Sequence, residues 1–141
     1  MASHVNAQVI LCDAAVADPS GKVHMLGAGW SVTTSPTAPQ AVALLVKVPW
    51  DRANQKLHMT LQLRDSDGHP VDLPGPDGRQ SVGTEGHIEV GRPPGLAPGS
   101  EIDASFALNV SPMPLPPGRY EWHLDLDGQP FSAFFTVRTP D

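Results

Sequence analysis

RYEWHLDLDGQPFSAFFTVR, residues 119–138, is the stretch that decides the fold of this chain. Apolar and polar residues alternate on both sides of Asp127-Gly128, a dipeptide typical of the two-residue type I′ turn, which needs φ > 0 at both positions. That turn predicts a β-hairpin whose apolar face pairs Leu124 with Phe131, Trp122 with Ala133, and Tyr120 with Phe135. Turn chemistry and alternation thus predict the same register, and we expect structural roles for Tyr120, Trp122, Asp127 and Gly128.

The segment just before this hairpin, LPPGRY at residues 115–120, resembles the tyrosine corner of immunoglobulin-like and fibronectin-like sandwiches. In that corner a tyrosine at a strand entry donates a hydrogen bond to backbone a few residues upstream. Tyr120 would be that residue, and the carbonyl of Pro116 its partner. The alternative is a core tyrosine after an ordinary Pro-Gly turn.

Proline and glycine punctuate the whole chain. With 16 Pro and 13 Gly among 141 residues, few windows are long enough for a helix of ten or more residues. A chain of this length is within the usual size of one domain. We therefore predict an all-β fold over residues 1–141, a single antiparallel immunoglobulin-like or fibronectin-like β-sandwich.

The first predicted hairpin joins residues 5–16 to residues 22–32 across a type I turn at residues 18–21. Residues 9–12, VILC, are apolar on both faces, which suits an interior strand or one whose outer face another subunit covers. Asp13 interrupts this run. We expect it to mark a bulge or the point where the strand leaves the sheet, with a buried polar network as the alternative.

Alternating apolar residues predict four further strands, at residues 41–50, 56–64, 84–90 and 101–110. Between the second and third of these, a three-residue turn at 66–68 would set Leu63 against Val71 and Leu61 against Leu73. The connections at residues 74–83 and 91–100 lack periodicity, so we expect exposed loops there.

The net charge and the N-terminal sequence limit the possible partners and the location of the protein. Nine Lys and Arg stand against 15 Asp and Glu, giving a formal charge of −6, and no basic cluster occurs. Binding to nucleic acid or to an anionic membrane is therefore disfavoured. The N-terminus shows no secretory signal and no run is long enough to span a bilayer, so we expect a cytoplasmic protein. The lone Cys12 lies in an apolar run and is expected to be a buried, inert thiol.

Signatures of catalysis are missing from the sequence. There is no Gly-x-Ser-x-Gly, no phosphate-binding Gly-rich loop and no zinc-ligand spacing, so we predict no catalytic residue, no cofactor and no metal, and a protein that is not an enzyme. One constellation keeps a metal-dependent enzyme open as an alternative. His58, His87 and His123 lie on outward faces and could converge if their strands share a sheet.

A protein-binding role is the main functional prediction. Phe134 falls on the polar side of the last hairpin, and beside Ile10 or Leu45 of a neighbouring strand it would form an apolar patch suited to a partner surface. We therefore predict a binding or assembly module that contacts a protein partner or a second copy of itself, with a C2 dimer as the simplest closed form. The alternative is a small-ligand or carbohydrate-binding module that uses exposed Trp30 and Trp50 with the loops at 74–83 and 91–100.

Three stretches carry a resemblance to a known group of proteins. They are residues 9–15 (VILCDAA), residues 21–28 (GKVHMLGA) and the LPPGRY segment with Asp127-Gly128. Together they resemble a family of small cytosolic β-sandwich proteins of high-GC bacteria whose function is unknown. The resemblance spans nearly the full chain. Its motifs are turns and core positions, so it implies the fold and no catalytic residues.

Overall fold

The computed structural model describes residues 4–139, and within this range the chain is all-β. The twelve strands of that range are β1 Asn6–Cys12, β2 Ala14–Ala17, β3 Val23–Leu26, β4 Val32–Thr33, β5 Gln40–Val48, β6 Leu57–Arg64, β7 Asp72–Gly75, β8 Gly78–Ser81, β9 Gly83–Ile88, β10 Ile102–Val110, β11 Gly118–Leu126 and β12 Gln129–Val137. One 3-10 turn, Trp50–Arg52, follows β5. No helix between residues 4 and 139 has the length and apolar character needed to cross a membrane.

The strands form four sheets. The largest has the order β4-β12-β11-β6-β9, and a second has the order β1-β5-β10. Two more sheets are hairpins, β2-β3 and β7-β8. All neighbours are antiparallel except β12 and β4, which pair in parallel over two residues. The predicted all-β class is confirmed.

The main core lies between the five-stranded and three-stranded sheets. Every second residue of β6 is buried, as the alternation predicts: Leu57, Met59, Leu61 and Leu63. The facing residues of β5 are Val42, Leu44, Val46 and Val48, which are also buried. The predicted strand at residues 41–50 ends earlier than expected, because Pro49 and Trp50 turn out of the sheet into the 3-10 turn.

The hairpin of β11 and β12 has the register that the sequence predicts. Asp127 and Gly128 have φ of 52° and 80°, so both adopt the left-handed conformation of a type I′ turn. Tyr120 donates a hydrogen bond to the carbonyl oxygen of Pro116 at 2.7 Å, which confirms the predicted contact. Trp122 is fully buried, and its indole Nε1 donates to Gln40 Oε1 at 3.0 Å.

The N-terminal stretch serves two sheets, which corrects the predicted hairpin of residues 5–16 and 22–32. β1 pairs with β5, whereas only β2 pairs with β3. The change of sheet occurs at Asp13, whose N–H donates to the Leu26 carbonyl at 2.8 Å, so the prediction that the strand leaves its sheet there is confirmed. Gly27 lies against this bend with φ of 63°, and a Cβ on it would come within 2.1 Å of Asp13 Oδ2.

The β2-β3 hairpin covers part of the outer face of the three-stranded sheet. A second, smaller apolar cluster lies beneath it, made of Cys12, Ala15, Ala41 and Ala43. This contact explains why residues 9–12 are apolar on both faces, because Val9 and Leu11 face the main core while Ile10 and Cys12 face the small cluster under the hairpin. Cys12 is fully buried as predicted, and burial followed by the nearby Asp13 charge raises the pKa of its thiol.

The turn after β6 is predicted correctly, but the strand pairing beyond it is not. Gly68 N–H donates to the Asp65 carbonyl at 3.0 Å, and Val71 N–H donates to the Leu63 carbonyl at 2.9 Å, as a three-residue loop requires. The predicted contact of Leu61 with Leu73 is wrong, because β9 takes the place beside β6 and pairs Leu61 with Thr84. The residues expected to form a loop at 74–83 instead contribute to the β7-β8 hairpin.

Candidate functional site

The three residues of the predicted interface lie on two different surfaces. Ile10 and Leu45 are on the outer face of the three-stranded sheet, where Ile10 packs against the small cluster under the β2-β3 hairpin. Phe134 is on the outer face of the five-stranded sheet, opposite Glu121. Because the main core separates these faces, the structure does not bring Phe134 together with Ile10 or Leu45.

Phe134 is also partly covered by a neighbour. Its side chain is 45% exposed, and the guanidinium carbon of Arg119 lies 4.1 Å from the centre of its ring. This distance is within the range of a cation–π interaction. The outer face around Phe134 is therefore a mixed polar surface rather than an apolar patch.

The most exposed large hydrophobic side chains of the described residues lie on the β2-β3 hairpin. Leu26 is 71% exposed and Val16 is 60% exposed. We call the outer face of this hairpin, formed by Ala14, Val16, His24 and Leu26, the hairpin patch. The register pairs Ala14 with Leu26 and Val16 with His24, and side chains of paired residues point to the same face, so all four lie together on the side away from the small cluster.

Hydrogen bonds to Asp18 stabilise the turn between β2 and β3, next to the hairpin patch. Asp18 Oδ1 accepts a hydrogen bond from the Ser20 N–H at 2.8 Å, and Asp18 Oδ2 lies 2.7 Å from His24 Nε2. Hydrogen bonds from the Ser20 and His24 side chains hold the pKa of Asp18 well below its usual range. Among the described residues β3 pairs with β2 alone, so its other edge presents unpaired backbone groups.

Sequence reasoning missed the hairpin patch because it treated residues 5–16 as one strand. A usable signal was present, since Ala14 to Ala17 and Val23 to Leu26 carry apolar residues on both faces on either side of a strong turn. A short hairpin can pack only one of its two faces against the rest of the chain. The other apolar face is then exposed to solvent unless a partner binds it.

The outward-facing histidines converge only in part. His58 and His87 are paired directly across β6 and β9, with ring centres 5.5 Å apart. His58 Nε2 also lies 2.8 Å from Glu85 Oε1. His123 is on the other side of β6, where β11 pairs it with Gln62, four residues along β6 from His58. The predicted three-histidine constellation is therefore a pair and a separate residue.

His123 belongs to a different polar group with Glu121 and Ser132. His123 Nδ1 lies 3.0 Å from Glu121 Oε2, and the Ser132 hydroxyl donates to the same oxygen. Burial alone would raise the pKa of Glu121, but the hydrogen bonds from Ser132 and His123 outweigh it and lower that pKa. In a nucleophile relay the serine would donate to the imidazole. Here the hydroxyl donates to the Glu121 carboxylate, and its contact with His123 Nδ1 is longer, at 3.4 Å, so the group stabilises the charge of Glu121.

The turn after β6 brings Asp65, Asp67 and His69 together, with ligand atoms within 4.8 Å of one another. Asp65 Oδ1 accepts hydrogen bonds from the N–H groups of Asp67 and His69 at 2.9 and 3.0 Å. Such bonds are the ordinary way in which an aspartate stabilises a tight turn. The geometry of this cluster is accounted for by the turn itself.

The three tryptophans differ in their exposure. Trp122 is buried, and Trp30 and Trp50 are half-buried. Trp30 meets Phe135 edge to face at 5.3 Å, and the guanidinium of Arg92 lies over Trp50 at 4.5 Å. Arg92 also donates to the Trp50 carbonyl. Each partly exposed tryptophan thus already has a contact within the chain.

Comparison of the chain with models of protein families gives a match over most of its length. A family model described as a family of unknown function (DUF6941) matches residues 8–136, from within β1 to within β12. No curated protein and no solved structure matches the chain. The expectation of a family of unknown function is confirmed.

Proposed function

The chain belongs to the DUF6941 family of unknown function, and we propose that it works as a non-enzymatic binding or assembly module that acts through protein–protein contacts. The same proposal includes an immunoglobulin-like or fibronectin-like sandwich, supported by the Tyr120 corner and by two sheets that share one core. It also includes a cytoplasmic location, which a single buried cysteine supports because secreted domains more often carry disulfides.

The hairpin patch is the observation that carries the proposal. Burying Val16 and Leu26 against a partner would each contribute about 1.5–3 kcal/mol relative to leaving them in water. The side chain of His24 is the only ionisable group of the patch, and it is already engaged by Asp18. A partner that covers this face therefore desolvates little charge.

We assign the patch to a second copy of the chain. The unpaired edge of β3 can accept the same edge of a second molecule in antiparallel orientation, and this arrangement is self-complementary about a two-fold axis. A four-residue edge is small compared with the roughly 800 Å² that each partner buries in a typical stable interface. The uncovered part of the three-stranded sheet, which carries Leu45, lies on the same side of the molecule and extends the contact.

Light scattering coupled to size-exclusion chromatography tests this proposal. We expect the wild-type chain to shift from monomer to dimer as its concentration rises from micromolar to near-millimolar. Leu26→Asp and Val16→Asp should both abolish the shift. Val32→Asp is the matched control, because Val32 is 58% exposed but lies on β4 in the other sheet, and it should dimerise like wild type.

Two results would contradict the assignment. One is a wild-type chain that remains monomeric over the whole range. The other is a dimer that Phe134→Asp disrupts and Leu26→Asp does not, since that result would move the contact to the outer face of the five-stranded sheet.

A further inference from the structure

We propose that His58 and His87 form a binding site for a divalent transition-metal ion of the Zn²⁺ type, with Glu85 as a third donor. The three side chains lie on the outer face of the five-stranded sheet, on β6 and on the edge strand β9. The site is independent of the hairpin patch and of the function proposed for it.

Backbone geometry brings the two imidazoles into the closest pairing that a sheet allows. On β6, the His58 carbonyl accepts a hydrogen bond from Asp127 N–H, on the β11 side, whereas Leu63 N–H donates to Val82, on the β9 side. Backbone groups alternate in direction along a strand, so His58 faces His87 as a non-hydrogen-bonded pair. In such pairs the Cα atoms are only about 4.5 Å apart and the side chains lie closer than in hydrogen-bonded pairs.

The side chains of the three residues lie near one another, with Glu85 bonded to His58. The ring centres of His58 and His87 are 5.5 Å apart with an angle of 68° between their planes, and Glu85 Oε1 is 2.8 Å from His58 Nε2. Glu85 and His87 are two residues apart on β9, so both point to the same face as His58.

These donors match the preferences of borderline metals. Imidazole suits Zn²⁺, Cu²⁺ and Ni²⁺, whereas Mg²⁺ and Ca²⁺ prefer a set of oxygen ligands. Zinc binds imidazole nitrogen at about 2.0–2.1 Å, which places two tetrahedral nitrogens about 3.4 Å apart. The side chains of His58 and Glu85 are 52% and 68% exposed, so both can rotate to reach that spacing, and water completes the coordination.

The position on the sheet gives metal binding a structural consequence. Among the described residues β9 pairs with β6 alone, so it is an edge strand. A metal held by His58 and His87 would join the edge strand to its neighbour through their side chains. Since the ion binds the folded chain at this site, the melting temperature should rise with the concentration of free metal.

Isothermal titration of the full chain with Zn²⁺ tests the proposal, together with nitrogen-detected NMR of the histidine rings. We expect one equivalent of Zn²⁺ to bind, with the largest NMR changes at His58 and His87. His58→Gln and His87→Gln should each weaken binding about tenfold or more, and Glu85→Gln should weaken it less. Ca²⁺ should give no titration. These side chains are exposed, and circular dichroism melts without metal should match wild type.

His123→Gln is the matched control, because His123 is an outward histidine of the same sheet whose Nδ1 is bonded to Glu121. It should bind Zn²⁺ like wild type. The proposal is overturned if no Zn²⁺ binds, or if binding persists unchanged in His58→Gln and His87→Gln. A titration that Asp67→Asn or His69→Gln abolishes would overturn it too, by moving the site to the turn after β6.

Discussion

The side-chain amide of Asn109 forms two hydrogen bonds with the backbone of Ala15. Asn109 Oδ1 accepts from the Ala15 N–H at 3.2 Å, and Asn109 Nδ2 donates to the Ala15 carbonyl at 2.8 Å. The amide thus replaces the backbone of a neighbouring strand along the inner edge of β2. It joins the β2-β3 hairpin to β10, 94 residues further along the chain.

Asn109→Ala should destabilise the fold by about 1–3 kcal/mol, because it leaves the N–H and carbonyl of the buried Ala15 without these partners. Urea unfolding measures the change. Asn109→Asp keeps one acceptor but turns a carboxylate oxygen toward the Ala15 carbonyl oxygen, so it should destabilise the fold at least as much as Asn109→Ala. Equal stability of all three chains would show that the hairpin is held by its apolar contacts alone.

Tyr120 should titrate above the usual range of a tyrosine. Burial, followed by the charge of Asp65, raises its pKa. The unfolded chain then loses this proton first, near about pH 10, so the contribution to stability is complete below that pH and is lost as the pH rises through the folded value. Tyr120 is the only tyrosine, so absorbance of tyrosinate reports it alone.

Tyr120→Phe is the matching variant for stability. It keeps the ring that stacks on Phe135 and removes the hydrogen bond to Pro116, for an expected loss of about 1 kcal/mol near neutral pH. Its stability should no longer fall through the tyrosine titration. A wild-type midpoint at or below about pH 10 would contradict the structural account.

Glu121 should contribute to stability in mildly acidic solution. Its lowered pKa means that the contribution is present above the unfolded value, about 4.3, and is lost as the pH falls through the folded value. Ser132→Ala removes one donor and should raise the pKa of Glu121, measured by carboxyl NMR. The variant should therefore lose stability at a higher pH than wild type. Thr136→Ala, on the same face of β12, should not.

Gly27→Ala should destabilise the chain by more than its backbone conformation explains. A residue with a Cβ at φ of 63° costs about 1–2 kcal/mol, and this Cβ would also meet the carboxylate of Asp13. In an Asp13→Ala background the clash with the carboxylate is removed, and the conformational cost and a close approach of 3.2 Å to the Cβ of residue 13 remain. A double-mutant cycle by urea unfolding should give a coupling of about 0.5–3 kcal/mol between the two positions. Strict additivity would mean that Asp13 moves aside freely.

Local turn chemistry explains which parts of the fold are predictable from the sequence. Asp127-Gly128 and Gly68 each determine the conformation of one turn, and the pairs next to those turns follow. The choice between distant strands is different. By apolar character alone, Leu61 could pair with Leu73 or with residues of several later strands. Only the assembled sheet shows that β9 lies beside it.

The candidate surfaces were harder to predict for the same reason. Alternation identifies Phe134 and His58 as outward-facing, but it does not show which sheet each strand joins. Phe134 therefore falls far from Ile10 in the fold, while His58 falls beside His87. The sequence predicts that the strand leaves its sheet at Asp13, but it does not show that residues 14–17 then pair with residues 23–26 in a separate hairpin.

The β7-β8 hairpin offers a practical attachment point. It leaves the five-stranded sheet after β6 and returns to it at β9, with a two-residue turn at Pro76-Asp77 and every residue of β8 exposed. Lengthening this excursion closes a longer loop at a cost of only about 0.6 kcal/mol for each doubling. A fluorophore or an affinity peptide inserted between Pro76 and Asp77 would thus leave both larger sheets intact. The folded chain could then be imaged, or purified together with its partners, through this label.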